Sequence, residues 1–343
     1  MPAFLPGLDL AQSFYNEEVQ PRLPAVVHSA ALLGPGSDVL GYDDVRSTDH
    51  YWGPRLQVFV DEPDVGTAKR AIGTLPATHL GWSTTIGSDN IPFRTHIDVW
   101  TVSEWCNARL GVDPRHGLST LDWLVIPQQL LLETTAGRVF HDALGQLDPI
   151  RASLAWYPHG VWLWLLAAQW TRVAQEEAFV GRAAEAGDEL GSRVVAARVV
   201  RDLMRLCLLL ERAYAPYSKW LGTAFARLEM AATVGPFLAA AVSADNYPRR
   251  EDALVRAYEE VARRHNAAQI SDPQVPTARL YHDRPYRVID AGRFARACVE
   301  TIDDPALRAL PLVGAIDQWA DSTDVLGHAG RVRRLIDWYG TLR

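Results

Sequence analysis

Apolar and polar positions change rhythm partway along the chain. Up to about residue 118 the apolar runs are short, β-prone and interrupted by Gly and Pro: Ala31 to Leu33, Arg55 to Val60 (RLQVFV) and Thr95 to Val102 (THIDVWTV). In RLQVFV and HIDVW apolar and polar residues partly alternate, the period expected of strands with one wetter face. Ser13 to Leu23 and Ser103 to Leu110 predict helices in the same region. From about residue 119 a helical period takes over. Val194, Val195, Val199, Leu203, Leu206 and Leu210 fall on one helix face within Gly191 to Tyr214, with arginines opposite. Ala253 to Gln269, Ala291 to Ile302 and Gly330 to Leu342 repeat the theme. The pattern predicts an α/β + all-α chain: a small mixed-sheet domain over 1–118 followed by a large, bundle-like helical domain over 119–343, the change falling between about 115 and 150.

One constellation in the first part suggests chemistry. Ala31-Leu32-Leu33 runs into Gly34-Pro35-Gly36-Ser37, Asp49 follows 12 residues after Ser37, and Asp98 sits centrally in the strand His96-Ile97-Asp98-Val99. A strand ending in Gly-Ser exposes backbone N–H groups at the following turn, and glycine lets a phosphate approach them. Carboxylates projected from neighbouring strands can then share a divalent ion with phosphate oxygens. His96, two residues from Asp98, lies on the same strand face and is a candidate acid-base group, as are His50 and His141.

Composition narrows the classes. With 343 residues, 48% hydrophobic and 22% charged, the chain can bury a real core, which excludes a largely disordered protein. A net charge of -7 disfavours a general nucleic-acid or anionic-membrane binder, so a small-molecule partner is expected. Only Lys69 and Lys219 are lysines. Cys106, Cys207 and Cys298 have no CxxC spacing, so neither a zinc ribbon nor a disulfide framework is expected. MPAFLPGLDL lacks the basic and apolar regions of a signal peptide. The most apolar stretches, Val161 to Trp170, Leu203 to Leu210 and Met230 to Ala244, fall short of the ~20 residues that cross a bilayer. A cytoplasmic protein is the expectation.

The spacing of Gly36, Ser37, Asp49 and Asp98 resembles the nucleotidyltransferase superfamily: an apolar residue, Gly-Ser, a spacer of roughly a dozen residues, paired acids and a third acid on a later strand. A narrower resemblance, to bacterial proteins with a DUF4037 domain, runs through GSDVLGYDD, STDHYWGPRL, WYPHGVW, GDELGSR, LMRL, YAPYSKWLG, RRHNA, HDRPYRVI and IDQWADSTDVL. It implies a nucleotidyltransferase-like α/β domain joined to a helical domain similar to that of aminoglycoside nucleotidyltransferases, with Asp49 and Asp98 holding Mg²⁺ and an NTP as donor. The family is named for an unknown function, so no substrate follows. The chain also departs from the pattern. Where the superfamily has an acid two residues after the first, Tyr51 follows Asp49. A phenol is neutral at pH 7 and a poor ligand for a hard cation. Asp38, Asp43 or Asp44 are the acids near enough in the loop to compensate.

The helical half adds candidates for anion binding. Lys219, in the aromatic break Tyr214 to Trp220 where a helix restarts after Pro216, reads either as a phosphate or sulfate contact or as a lysine laid over Trp220. Arg284 and Arg287 in HDRPYRV form a possible anion clamp or partners of structural carboxylates. Glu176 and Glu177 read as a general base toward an acceptor, or as solvated helix-end acids. His265, in an Arg-Arg-His-Asn run, has spacing too short for the signature of small helical RNases. Trp156, Trp162, Trp164 and Trp170 read as core.

Three functions follow. The first is nucleotidyl transfer from an NTP to a small polar metabolite, Gly36 and Ser37 cradling the triphosphate. The second is a metal-independent elimination or internal displacement on a phosphorylated or sulfated small molecule, with Asp49, Asp98 or His96 as base and Tyr51 against the substrate. The third is a nucleotide-binding pseudoenzyme or scaffold.

Overall fold

The short β-prone runs form a five-stranded mixed sheet in a computed structural model that describes residues 2–49, 51–73, 75–88 and 91–342. The strands are β1 (Ser29–Leu32), β2 (Arg55–Phe59), β3 (Thr85–Ser88), β4 (Ile91–Trp100) and β5 (Arg138–Asp142), in the spatial order β3-β4-β2-β1-β5. β2 is antiparallel to β1 and parallel to β4, and the two outer pairs are antiparallel. A parallel pair needs a crossover, and here the connection contains helix α2 (Val65–Ile72).

The alternation in RLQVFV gives β2 two faces. Leu56, Val58 and the following Val60 join Ala30 of β1 in a core completed by Phe14, Tyr15, Val19 and Leu23 from the N-terminal segment and by Ala68 and Ile72 of α2. Arg55, Gln57 and Phe59 point the other way by the two-residue period, and Phe59 meets Trp105 edge-on at 5.9 Å. Both faces are covered, so every β2 position is buried. Trp105 belongs to α3 (Val102–Leu110), whose start is fixed by a capping box between Thr101 and Glu104 and whose end is the left-handed Gly111. The N-terminal helix begins earlier than the expected Ser13. It spans α1 (Gly7–Phe14), loosens into a π turn (Tyr15–Val19) and ends in a 3-10 turn (Gln20–Arg22) containing Pro21.

By contacts the chain forms two compact units. The first holds the residues up to Leu118 with Leu130–Ala155 and His328–Gly330; the second holds Ser119–Gln129, Trp156–Gly327 and the residues from Arg331 onward. In the second, α4 (His159–Glu185) packs against α5 (Glu189–Leu210) and α9 (Gly292–Glu300), and α8 (Tyr247–Ala267) packs against α5 and α7 (Ala231–Ser243); α6 (Ser218–Ala226) also meets α5. Val161 to Ala168 of α4 is apolar all round because it is buried all round. Polar groups on these helices pair inside: Trp162 Nε1 donates to Leu209 O at 2.7 Å, and Gln169 Nε2 donates to Asp202 O at 3.1 Å. Gly330 to Leu342, expected as one helix, forms two short ones, Ala329–Val332 and Leu335–Gly340. The architecture is a small mixed α/β sheet with a larger helical part. No helix among the described residues is long and apolar enough to cross a membrane.

Candidate functional site

β1 ends at Leu32, and the chain turns through Gly34 (φ 88) and Gly36 (φ 146) into Ser37. Gly36 is required twice over. Its φ is one that L residues rarely adopt, and a Cβ there would overlap Arg55 Nη2 and Asp38 Oδ1. The backbone N–H groups of Gly36, Ser37 and Asp38 donate to no acceptor among the described residues. Arg109 of α3 lies beside the same turn, its guanidinium carbon 3.6 Å from where a Gly34 methyl would sit.

The parallel register of β2 and β4 sets Arg55 beside His96 and Gln57 beside Asp98. These four therefore share the sheet face opposite the Leu56 and Val58 core. The strand next to Asp98 thus presents a guanidinium and an amide, where carboxylates from neighbouring strands were expected. Gln57 Oε1 accepts the Leu33 N–H at 2.9 Å, tying β2 to the start of the glycine turn. Arg55 is 3% exposed and held in a fork: Nε donates to Asp38 Oδ2 at 3.0 Å, and Nη2 donates to Asp38 Oδ1 at 2.6 Å and to Pro35 O at 2.9 Å. Burial pulls its pKa down, but the Asp38 carboxylate, helped by Tyr51 and Asp98, outweighs burial and the net shift is upward. The Tyr51 ring lies 5.0 Å from this guanidinium and meets the buried His96 edge-on at 5.2 Å. Its φ of 47, unusual for a bulky residue, turns it there.

Three acids near this face are already occupied. Asp38 holds Arg55. Asp43 accepts from Gly7 N–H at 2.7 Å and Trp52 Nε1 at 3.1 Å. Asp44 caps a 3-10 turn through the Arg46 and Ser47 amides. Asp49 closes that turn (Val45–Asp49), exposed and six residues before β2. Among the described residues no three His, Cys, Asp or Glu side chains are grouped as a metal ion would need. Mg²⁺ is usually held by one or two carboxylates together with substrate oxygens and water, and Asp98, beside Gln57 on the sheet, is the carboxylate of this face that would hold it. His50 lies outside the described residues. His141, on β5, tilts against His28 at 5.0 Å, on the sheet's far strand from β4.

The candidates of the second unit have partners of their own. Lys219 Nζ stands 4.8 Å from the Trp220 ring, on a helix that starts at Ser218 as Pro216 implied. Arg284 reaches Glu185 at 3.4 Å, and Arg287 holds Glu251 at 2.9 Å together with Asp252. Glu176 pairs with Arg198, and burial raises its pKa. Glu177 is a buried clamp: its carboxylate accepts the N–H groups of Ile289, Asp290 and Ala291, and burial outweighs those bonds to push its pKa up to about 7. His265 is buried, with Nδ1 accepting from Trp170 Nε1 at 3.1 Å.

Arg55, Gln57 and Arg109 were not singled out by sequence reasoning. The alternation of RLQVFV contained the signal for the first two, because it puts both on the wetter face; nothing local marks Arg109, which reaches the turn only through the packing of α3. A family model described as Domain of unknown function (DUF4037) matches residues 123–221, a span that includes β5, α4 and α5 but not the glycine turn or β1 to β4. No curated protein and no solved structure matches the chain.

Proposed function

We propose that the first unit is a nucleotidyltransferase-like pocket repurposed for metal-independent chemistry on the phosphate or sulfate group of a small polar metabolite. The observation that carries this reading is Arg55, locked into Asp38 on the strand beside Asp98. Arg55 and Asp38 together carry no net charge and need no reorganisation during reaction, and the positive charge that a cation would otherwise bring comes from Arg109 beside the turn. In the proposed reaction the leaving oxyanion lies against the Gly36, Ser37 and Asp38 amides with Arg109 beside it. Asp98 or His96 takes a proton from the substrate. The electron pair freed forms the new double bond or ring bond, the carbon–oxygen bond breaks, and its pair leaves on the phosphate or sulfate. Tyr51 packs on the cation and walls the pocket.

The test is calorimetry with inorganic phosphate and sulfate, with and without EDTA. Binding indifferent to EDTA and weakened about tenfold in Arg109→Ala supports the proposal. Tight binding of an NTP that appears only with Mg²⁺ overturns it in favour of nucleotidyl transfer, the second reading, which the Gly36-Ser37 turn beside an Asp-bearing sheet favours. Tyr51→Asp discriminates further: on the proposed reading it creates no Mg²⁺ dependence, and on the second it strengthens metal-dependent nucleotide binding.

A further inference from the structure

Segments far apart in sequence meet in the interior of the second unit. Trp156 and Tyr157 come from the turn before α4, Arg205 from α5, Tyr214 from the break after α5, and Asp317 from the helix Ile316–Trp319. The rings form a cluster: Trp156 to Tyr214 is 4.9 Å, Trp156 to Tyr157 is 5.1 Å, Tyr157 to Tyr214 is 5.3 Å, and Trp123 closes on Tyr157 at 5.4 Å. Burial drives the Tyr157 phenol far above its ordinary pKa, and Tyr214, Asp317 and Arg205 are the groups close enough to modulate it.

Trp156 Nε1 and Tyr157 Oη of this cluster, and Nε and Nη1 of Arg205, whose charge reaches Tyr157, are four atoms buried without a hydrogen-bond partner among the described residues. Arg205 is only 4% exposed. Its nearest acid candidates are employed elsewhere, Asp202 by Arg172 and Gln169, and Asp317 by the Gln128 N–H at 2.9 Å. Leaving two guanidinium N–H groups unpaired in the interior is expensive, and native proteins rarely do so without a reason. All four atoms can donate, and the three nitrogens can only donate. Their complement is a group made of acceptors with a negative charge, and the surrounding aromatic rings suit an attached carbon skeleton.

We propose that Trp156, Tyr157 and Arg205 bind the oxyanion, carboxylate or phosphate, of a small organic molecule. The site is separate from the glycine turn and does not rest on the reading of the first unit.

The experiment is equilibrium binding of benzoate and of phenyl phosphate to the full chain, followed by tryptophan fluorescence. Saturable binding of either, weakened about tenfold in Tyr157→Phe and in Arg205→Met, is expected, and the preferred probe tells carboxylate from phosphate. Tyr157→Phe removes one oxygen and keeps the ring, so it decides the matter if Arg205→Met fails to fold. The proposal is overturned if neither probe saturates, if Tyr157→Phe binds as the native chain does, or if binding falls in Arg109→Ala alone, which would place the anion at the glycine turn. A crystal structure with only ordered water on the four atoms in saturating probe would also overturn it.

Discussion

Two arginines, one in each unit, are buried to nearly the same degree and treated in opposite ways. Arg55 is 3% exposed and has a carboxylate fork, a carbonyl and an aromatic ring around it; Arg205 is 4% exposed and has two N–H groups with no partner among the described residues. Their pKa values move apart accordingly. Burial lowers both, but Asp38 reverses the effect at Arg55, while at Arg205 the more distant Asp317 does not. A buried cation that is fully bonded is a fixture, able to shape a site's field without changing partners. One that is not bonded is a demand for a ligand or for water.

The comparison breaks most sharply at Asp38. Asp38→Ala leaves Arg55 as an unpaired buried charge, and should lower stability by ~3–5 kcal/mol in urea titration. Replacing the pair together, Asp38→Leu with Arg55→Met, should recover most of that loss, because the charge leaves with its partner.

His265 sharpens the comparison within the second unit, being buried but satisfied while neutral. Burial pushes its pKa down to about 4, below the ordinary value of 6.5. Since the folded pKa is depressed, the unfolded chain binds the proton first: the contribution is fully present above about pH 6.5 and is lost as pH falls toward 4. Roughly 3 kcal/mol should disappear across that window, measured as urea midpoints at successive pH values. His265→Phe should flatten the slope there. An unchanged slope would assign it to other groups.

A smaller effect of opposite sign is expected at the unpaired arginine. Arg205→Met made together with Asp317→Asn should raise stability by on the order of 1 kcal/mol, since it removes a buried guanidinium lacking hydrogen bonds without leaving the buried Asp317 carboxylate short of its opposite charge. A large loss by thermal denaturation would instead make Arg205 a structural fixture like Arg55. The smallest change should come from Lys219→Ala, within ~0.5 kcal/mol, because the lysine rests on Trp220 at an exposed position.

Much of the frame was legible in the residues. RLQVFV and THIDVWTV became adjacent strands, Ser103 to Leu110 and Gly191 to Tyr214 became helices, and His96 and Asp98 share a face because the side-chain period of a strand is two. β5 was not legible. Arg138–Asp142 lies in a region of helical character and is a strand because β1 offers it an edge, with Ser29 Oγ donating to Asp142 at 2.6 Å. Local pattern carries no information about an edge supplied by residues more than a hundred positions away.

The sequence by itself determined the class of architecture, the glycine turn and the types of side chain available for chemistry, since periodicity and backbone freedom are local properties. Which side chains were free to act was decided only by the tertiary structure. Asp38, Asp43 and Asp44 look alike in the chain, yet one is bound by a buried arginine, one by Gly7 and Trp52, and one by its own turn. Trp156 and Arg205 read as core and helix surface, and packing left them with donors and no acceptors. A hydrogen bond has two ends, and the second end is fixed by distance in space, where separation along the chain has no bearing.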